Sequence, residues 1–232
     1  VDSKELIQGL LNHGIEAQLS WIVGDDCQNK ENIDADIDDL IAHEPTTIQL
    51  SILSAAPGTA LYNRLKADNR IRPFVPEEAH LMGNTMDALH FTHEERLDIL
   101  MNTYGRIYET HGSSLMRATK AFMNGYEHCL RSKNPYLNGP KREYFERKIK
   151  NNITLIRVAL ETAPTLQVKQ AMLDLRDRYI DLFGPFRKSQ QMAADHFLRL
   201  ANKEIERREE EGYSTMRDVQ LKRYSYQGGT SK

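Results

Sequence analysis

Leu6, Ile7, Leu10 and Leu11 recur at helical spacing between Ser3 and His13, and Gly14 stands where a left-handed residue would end such a helix. From Ile15 to Val23 the period changes to two. Ala17, Leu19, Trp21 and Val23 take one face, while Gln18, Ser20 and Ile22 take the other, which predicts a strand with one apolar side. A second helix is expected around Ile33, Ile37, Leu40 and Ile41, with Asp34, Asp36, Asp38 and Asp39 in water and Pro45 as its stop. The strand predicted over Thr46 to Ser54 repeats the scheme. Ile48, Leu50 and Ile52 form its apolar face, and Gln49, Ser51 and Leu53 match Gln18, Ser20 and Ile22 position for position. In "AAPGTALY", Pro57 and Gly58 make a turn and Thr59 is placed to cap a helix through Leu61 and Leu65.

The order αβαβα, with a crossover helix after each strand, predicts neighbouring parallel strands and right-handed connections. Polar residues on one face of both strands suit a closed or strongly curved barrel interior better than an open sheet buried on both sides. In such folds chemistry gathers at the carboxyl ends of the strands, here Gly24 to Asn29 and Ser54 to Gly58. Ile71 to Leu89 has little periodicity and reads as a linker or an extended segment packed on the α/β part. The remainder reads as helix: Leu97 to Tyr108, stopping at Gly112; a helix capped by Ser113 or Ser114 with Leu115, Phe122, Tyr126 and Leu130 as its stripe; one from Tyr144 to Leu160; one from Thr165 to Phe183; and one from Pro185 to Glu211. Expected boundaries are 1–71 for the α/β part, 72–92 for the linker, 93–211 for a helical domain and 212–232 for a disordered tail.

A net charge of -2 offers no global attraction to nucleic acid or anionic membranes. Apolar runs fall far short of the roughly 20 residues that cross a bilayer, so a soluble protein is expected. Cys27 and Cys129 are too few for a disulfide scaffold or a thiolate cluster site, so a cytoplasmic setting with both thiols reduced is expected. The chain enters directly into a helical pattern at Val1, which reads as a fragment of something longer.

Several short motifs invite chemistry. "DADIDD", Asp34 to Asp39, resembles the start of a calcium loop, but Asp39 and Pro45 stand where Gly and Glu are needed, so a solvated helix face is expected. "HFTH" places His90 and His93 three apart without a third ligand, which favours a packing or surface role over zinc. Asp25 and Asp26 follow a strand directly, where they can orient a substrate or a ribose, or simply favour a helix start. Dinucleotide, P-loop and serine-hydrolase signatures are absent.

"WIVGDD", a helix, then "IQLSILSAAPGTALYNRLKADNRI" resembles the last two strands of the partial (β/α)6 barrel of radical SAM enzymes, particularly those carrying an upstream cobalamin-binding domain. "HFTHEE", "HGSSLMR" and "NGYEHCLRSKNPYL" are similar to the helical C-terminal region of a cobalamin-associated subgroup, and the likeness spans residues 3–183. Ala55, Thr92 and Ser113 depart from that pattern, and the CxxxCxxC loop is absent. The implied fold is α/β, the C-terminal portion of a TIM-like radical SAM barrel followed by an all-α region. The implied cofactors are S-adenosylmethionine, a [4Fe–4S] cluster and cobalamin, the last two held by an N-terminal barrel and cobalamin domain of the same protein. The implied activity of the complete enzyme is reductive cleavage of S-adenosylmethionine, with radical methylation or rearrangement of an unactivated carbon in a small-molecule substrate. This chain alone is then expected to be inactive. By the same likeness Ile22 and Leu53 are the inward residues suited to an adenine face, while Val23, Gly24 and Ser54 lend backbone groups or room. Asp25, Asp26, His93 and Arg117 fall on the substrate side, with Phe91 and Gly112 near them in the motif. Barrel-core packing is the alternative for each strand position.

Two other functions compete. A radical SAM methylthiotransferase acting on transfer RNA would want a basic surface or an RNA-binding module, and neither is visible. A non-catalytic helical interaction module would be favoured by exposed apolar stripes on Leu115 to Leu130 or Gln190 to Ile205.

Overall fold

A computed structural model describes residues 2–75, 80–212 and 223–224. In chain order the elements are α1 (Ser3–Asn12), β1 (Gln18–Val23), α2 (Ile33–Ala42), β2 (Thr47–Ile52), α3 (Ala60–Ala67), α4 (His93–His111), α5 (Ser114–Arg131), α6 (Arg142–Asn152), α7 (Ile156–Glu161), α8 (Leu166–Phe183) and α9 (Lys188–Glu210). The chain is mostly helical, with β1 and β2 paired as a small parallel sheet, an α/β character. Among the described residues no further strand joins that sheet, and no helix is long and apolar enough to cross a membrane.

Two compact units divide the chain. The strand unit comprises residues 19–40, 48–75, 80–104 and 223–224; the helical unit comprises 2–18, 41–47 and 105–212.

In the strand unit the period-two pattern sets the sheet. Val23, Leu50 and Ile52 are buried, whereas Ser20, Ile22 and Gln49 are exposed. The N–H of Leu53 donates to the Val23 carbonyl at 2.7 Å, which fixes the register and keeps Ile22 and Leu53 on the same face, where Ile22 is exposed and Leu53 packs against the small core of Ala55, Leu65 and Met86. The outer edge of β2 is closed by groups that are not strands: Leu50 N–H donates to the Tyr104 hydroxyl at 3.3 Å, and Ile52 N–H to the Leu81 carbonyl at 2.7 Å. Thr59 caps α3, its hydroxyl accepting the Tyr62 N–H at 3.1 Å. The segment after α3 packs inward. Ile71 bridges Met86 antiparallel, Thr85 Oγ1 accepts the Ala55 N–H at 3.0 Å, and Thr85 and Met86 are fully buried.

The expected solvated face of α2 needs correction at Asp34, which is only 1% exposed. Its carboxylate lies in the first turn of α2, where a negative charge is favoured by the helix N-terminus, and the Arg223 guanidinium comes within 3.9 Å of it while bonding Asp38 at 2.7 Å. The tail expected from Gly212 otherwise lies outside the described residues.

The helical unit is built on one apolar core containing Phe122, Met123, Tyr126, Phe145, Ile149, Ile153, Val168, Met172 and Tyr179. Gly14 adopts φ +76° after α1, as its position predicts, and a Cβ there would stand 2.6 Å from Phe145 Cζ and 2.7 Å from the Gly125 Cα. Gly14 is therefore fixed by backbone conformation and close approach, and Gly125, inside α5, by close approach alone. Thr165 caps α8 through the Val168 N–H at 3.2 Å.

Two helical expectations change. On α5 the predicted stripe ends on Leu130, yet Leu130 is 42% exposed in the last turn, and Met116, Thr119, Met123 and Cys129 are buried along with Phe122 and Tyr126. The single helix expected from Tyr144 to Leu160 is broken by a 3₁₀ turn at Ile153–Leu155. There the Thr154 hydroxyl donates to the Asn151 carbonyl at 2.7 Å and Leu155 leaves helical dihedrals at φ -91°, ψ 1°, so side-chain bonding competes with the α-helical ladder.

Candidate functional site

The site lies at the carboxyl ends of β1 and β2 in the strand unit. After Val23 the backbone turns sharply, and one buried side chain holds the turn. Gln28 Oε1 accepts the N–H of Gly24 at 2.8 Å and of Asp25 at 3.3 Å, and its Nε2 donates to the Ile22 carbonyl at 3.1 Å. Asp25 Oδ1 accepts the Cys27 N–H at 2.8 Å, a local turn that the short side chain of Asp favours. The Gly24 N–H is thus committed to Gln28 and the Val23 carbonyl to Leu53.

Asp26 is locked by a guanidinium fork. Arg70 approaches Oδ1 at 2.6 Å and Oδ2 at 3.1 Å, and Arg64 adds a contact to Oδ2 at 3.2 Å. The hydrogen bond from Arg70 holds the Asp26 carboxyl below its ordinary range; burial opposes it, and the charges of Arg70, Arg64 and His90 add to the lowering. Cys27 beside it is exposed, and its hydrogen bond and charge contact with Asp25 push the thiol upward, away from reactive thiolate.

Arg96 is the unexpected feature. It is 1% exposed, bonds the Thr92 carbonyl at 3.4 Å, Asn84 Oδ1 at 3.3 Å and the Met86 carbonyl at 3.2 Å, and leaves Nη1 enclosed without an acceptor. Its aliphatic stem lies on Gly24: a Cβ at that glycine would stand 2.6 Å from Arg96 Cδ, and Gly24 has φ +99°. The room that Gly24 gives is therefore occupied by Arg96. His93, opening α4, also has an enclosed Nδ1 without a partner. Burial, then the charges of Arg96 and Arg72, lower its pKa and favour neutral imidazole. His93, Arg96, Phe91, Arg72 and Asp87 line a cavity of ≈ 350 Å³.

Of the residues singled out in the sequence, Ile22, Val23, Gly24, Asp25, Asp26, Leu53, Ser54, Phe91 and His93 all belong to the strand unit. Ile22 is 47% exposed, Leu53 and Ser54 are partly buried, and Val23 is part of the core. Arg117 and Gly112 belong to the helical unit, where Arg117 Nε donates to the Pro45 carbonyl at 2.8 Å and Nη1 to the Gly112 carbonyl. Sequence reasoning missed Gln28, Arg70 and Arg96. A polar residue four positions beyond a strand-end glycine is the only local signal for Gln28, and Arg96 carries none, because it sits inside an ordinary helical pattern.

Among the described residues no three His, Cys, Asp or Glu side chains come together as a metal site, and Cys27 and Cys129 lie in different units. A [4Fe–4S] cluster therefore finds no ligand set here. What the strand ends offer is a face with one exposed aliphatic side chain, Ile22, and one partly buried, Leu53, a hydrogen-bonded turn below it and a buried cation beside it. A scan against family models and searches of curated proteins and solved structures found no match.

Proposed function

We propose that this chain forms the terminal two strands and helical region of a radical SAM-type barrel protein, and that the open face of β1 and β2 receives the adenosine part of S-adenosylmethionine. The observation that carries the reading is the shared face: Ile22 and Leu53 lie on one side of a parallel pair, Ile22 exposed and Leu53 partly buried against the small core of Ala55, Leu65 and Met86, at the strand ends where such folds build their sites. The blocked outer edge of β2 adds support, since it suits a last strand whose neighbours lie on the β1 side.

In this reading each residue of the chain has a limited task. Ile22 and Leu53 cover an apolar ring, and Ser54 supplies a hydroxyl at its rim. Gln28 and the Asp26–Arg70 fork keep the strand end rigid, so that little ordering is required when a ligand arrives. Arg96 contributes positive potential from below Gly24. Since the described residues bring together no group of three metal-ligating side chains, no reaction step is assigned to this chain. Reductive cleavage, and methylation or rearrangement of a small-molecule substrate, would need cofactors held elsewhere in the assembled protein.

Titration calorimetry of S-adenosylmethionine into the wild-type chain, Ile22→Asp and Leu53→Asp tests the reading. Ile22→Asp changes an exposed position and is expected to fold, Leu53→Asp is read only with its fold checked because Leu53 packs against Ala55, Leu65 and Met86, and affinity drops at least about tenfold, equivalent to about 1.4 kcal/mol. Wild-type affinity in folded variants, or no binding by the wild type, would overturn it.

A second reading, a helical interaction module, is favoured by one observation. On α9, Met192 and Leu200 are 63% and 49% exposed and Phe197 lies between them, also exposed. Sedimentation over a range of concentrations, comparing wild type with Leu200→Glu, tests it; identical monomers would count against it.

A further inference from the structure

The helical unit contains a cleft of ≈ 580 Å³, within the range of small-molecule sites. Its charged lining is not evenly compensated. Lys120 faces Glu44 at 3.7 Å, and Arg178 pairs with Glu127 at 2.9 Å and Asn124 at 2.8 Å. Arg117, by contrast, spends Nε and Nη1 on two backbone carbonyls, and no acceptor for its Nη2 is found among the described residues. Burial without a neighbouring carboxylate pushes its pKa down to about 10, which still leaves it cationic at neutral pH. A desolvated guanidinium without a counter-charge is costly, and an incoming anion relieves that cost.

The rest of the lining limits which anion fits. Lys120 and Arg178 each face a carboxylate, Glu44 and Glu127, which leaves Arg117 as the cation of the lining held by backbone carbonyls alone and so favours a single carboxylate over a phosphate dianion. The apolar side is made by Met116, Val168 and Met172, which also wall a neighbouring apolar recess of ≈ 210 Å³. Methionines adapt their shape to irregular hydrocarbon. We propose that this cleft binds a small monocarboxylate with an apolar body, its carboxylate on Arg117 Nη2 and its hydrocarbon against Met116, Val168 and Met172.

Titration calorimetry of the full chain with decanoate, and with 1-decanol as the uncharged probe, tests this assignment. Saturable 1:1 binding of decanoate is expected, at least about tenfold tighter than 1-decanol, and weakened by at least about tenfold in Arg117→Met. Because Arg117 also holds two loop carbonyls, that variant can lose its fold. Ala171→Trp fills the cleft from an exposed helix position without touching those bonds, and is expected to abolish decanoate binding with an unchanged melting temperature. Equal affinity for decanoate and 1-decanol, unaltered decanoate binding in Ala171→Trp, or no saturable binding would overturn the proposal.

Discussion

The helical unit hides hydrocarbon around Phe122, Phe145, Ile149 and Met172, whereas the strand unit shares its interior between Ile33, Ile37 and Ile99 and the polar side chains of Gln28, Asp34, Thr85, Arg96, Asn102 and Thr103. Six of the nine buried polar residues among those described fall in the smaller unit. An apolar interior tolerates wide choice of sequence so long as volume is kept. A polar interior is tied to particular hydrogen bonds, and its retained costs mark where function is expected. The two units should therefore fail in different ways.

The largest effect is expected in the helical unit. Phe145→Ala removes a ring that packs 6.1 Å from the Phe122 ring and against the Gly14–Gly125 contact, and should cost about 3–5 kcal/mol in urea unfolding. Its effect should be independent of pH between 5 and 8 (roughly the plateau of most proteins). In the strand unit, Gly24→Ala should cost about 2–4 kcal/mol, because the new methyl meets Arg96 Cδ and the backbone there is left-handed. Combining it with Arg96→Ala should recover part of that loss, which a double-mutant cycle would read as coupling. Simple additivity would show that the glycine is needed for backbone conformation alone.

A smaller effect separates the units by pH. The folded Asp26 carboxyl titrates below its unfolded value of about 3.9, so its stabilisation is complete above that pH and is lost as the pH falls through the lower folded value. His93 has a depressed folded pKa as a base, so the unfolded chain takes up its proton first. Stability then drops as the pH falls through about 6.5 and levels off below the folded value. Urea midpoints measured across pH should show both steps; Asp26→Asn should remove the lower and His93→Gln the upper. Steps that survive both substitutions would assign the acid sensitivity elsewhere. Smallest of all, Thr59→Ala should cost about 1 kcal/mol through the lost α3 cap.

What could be read from the sequence is what is local. Alternation gave away both strands and the side each buries, and Thr59, Gly14 and Thr165 announced helix ends because capping and left-handed turns depend on neighbouring residues. Gln28 and Arg96 were invisible because their partners are set by the folded turn: Arg96 meets Gly24 across 72 positions of chain. Asp34 looked solvated because its neighbours Asp36, Asp38 and Asp39 are acidic too, while the approach of Arg223, far away in sequence, accompanies its burial. The α6–α7 break was missed because the apolar spacing runs on through Ile153 and Ile156, while the competing Thr154 hydroxyl bond adds no periodic signal. For the site, Ile22 and Leu53 could be placed on one face from alternation. That Gln28 and Arg96 already occupy the backbone and space around Gly24 could not.

The most direct measurement is a methyl NMR titration of the isotope-labelled chain with S-adenosylmethionine. Binding at the strand ends predicts shifts for the Ile22 and Leu53 methyls, with Ile149 and Ile153 in the helical core unmoved. Shifts confined to the helical unit, or none at saturating ligand, would contradict the assignment of the open sheet face as the ligand site.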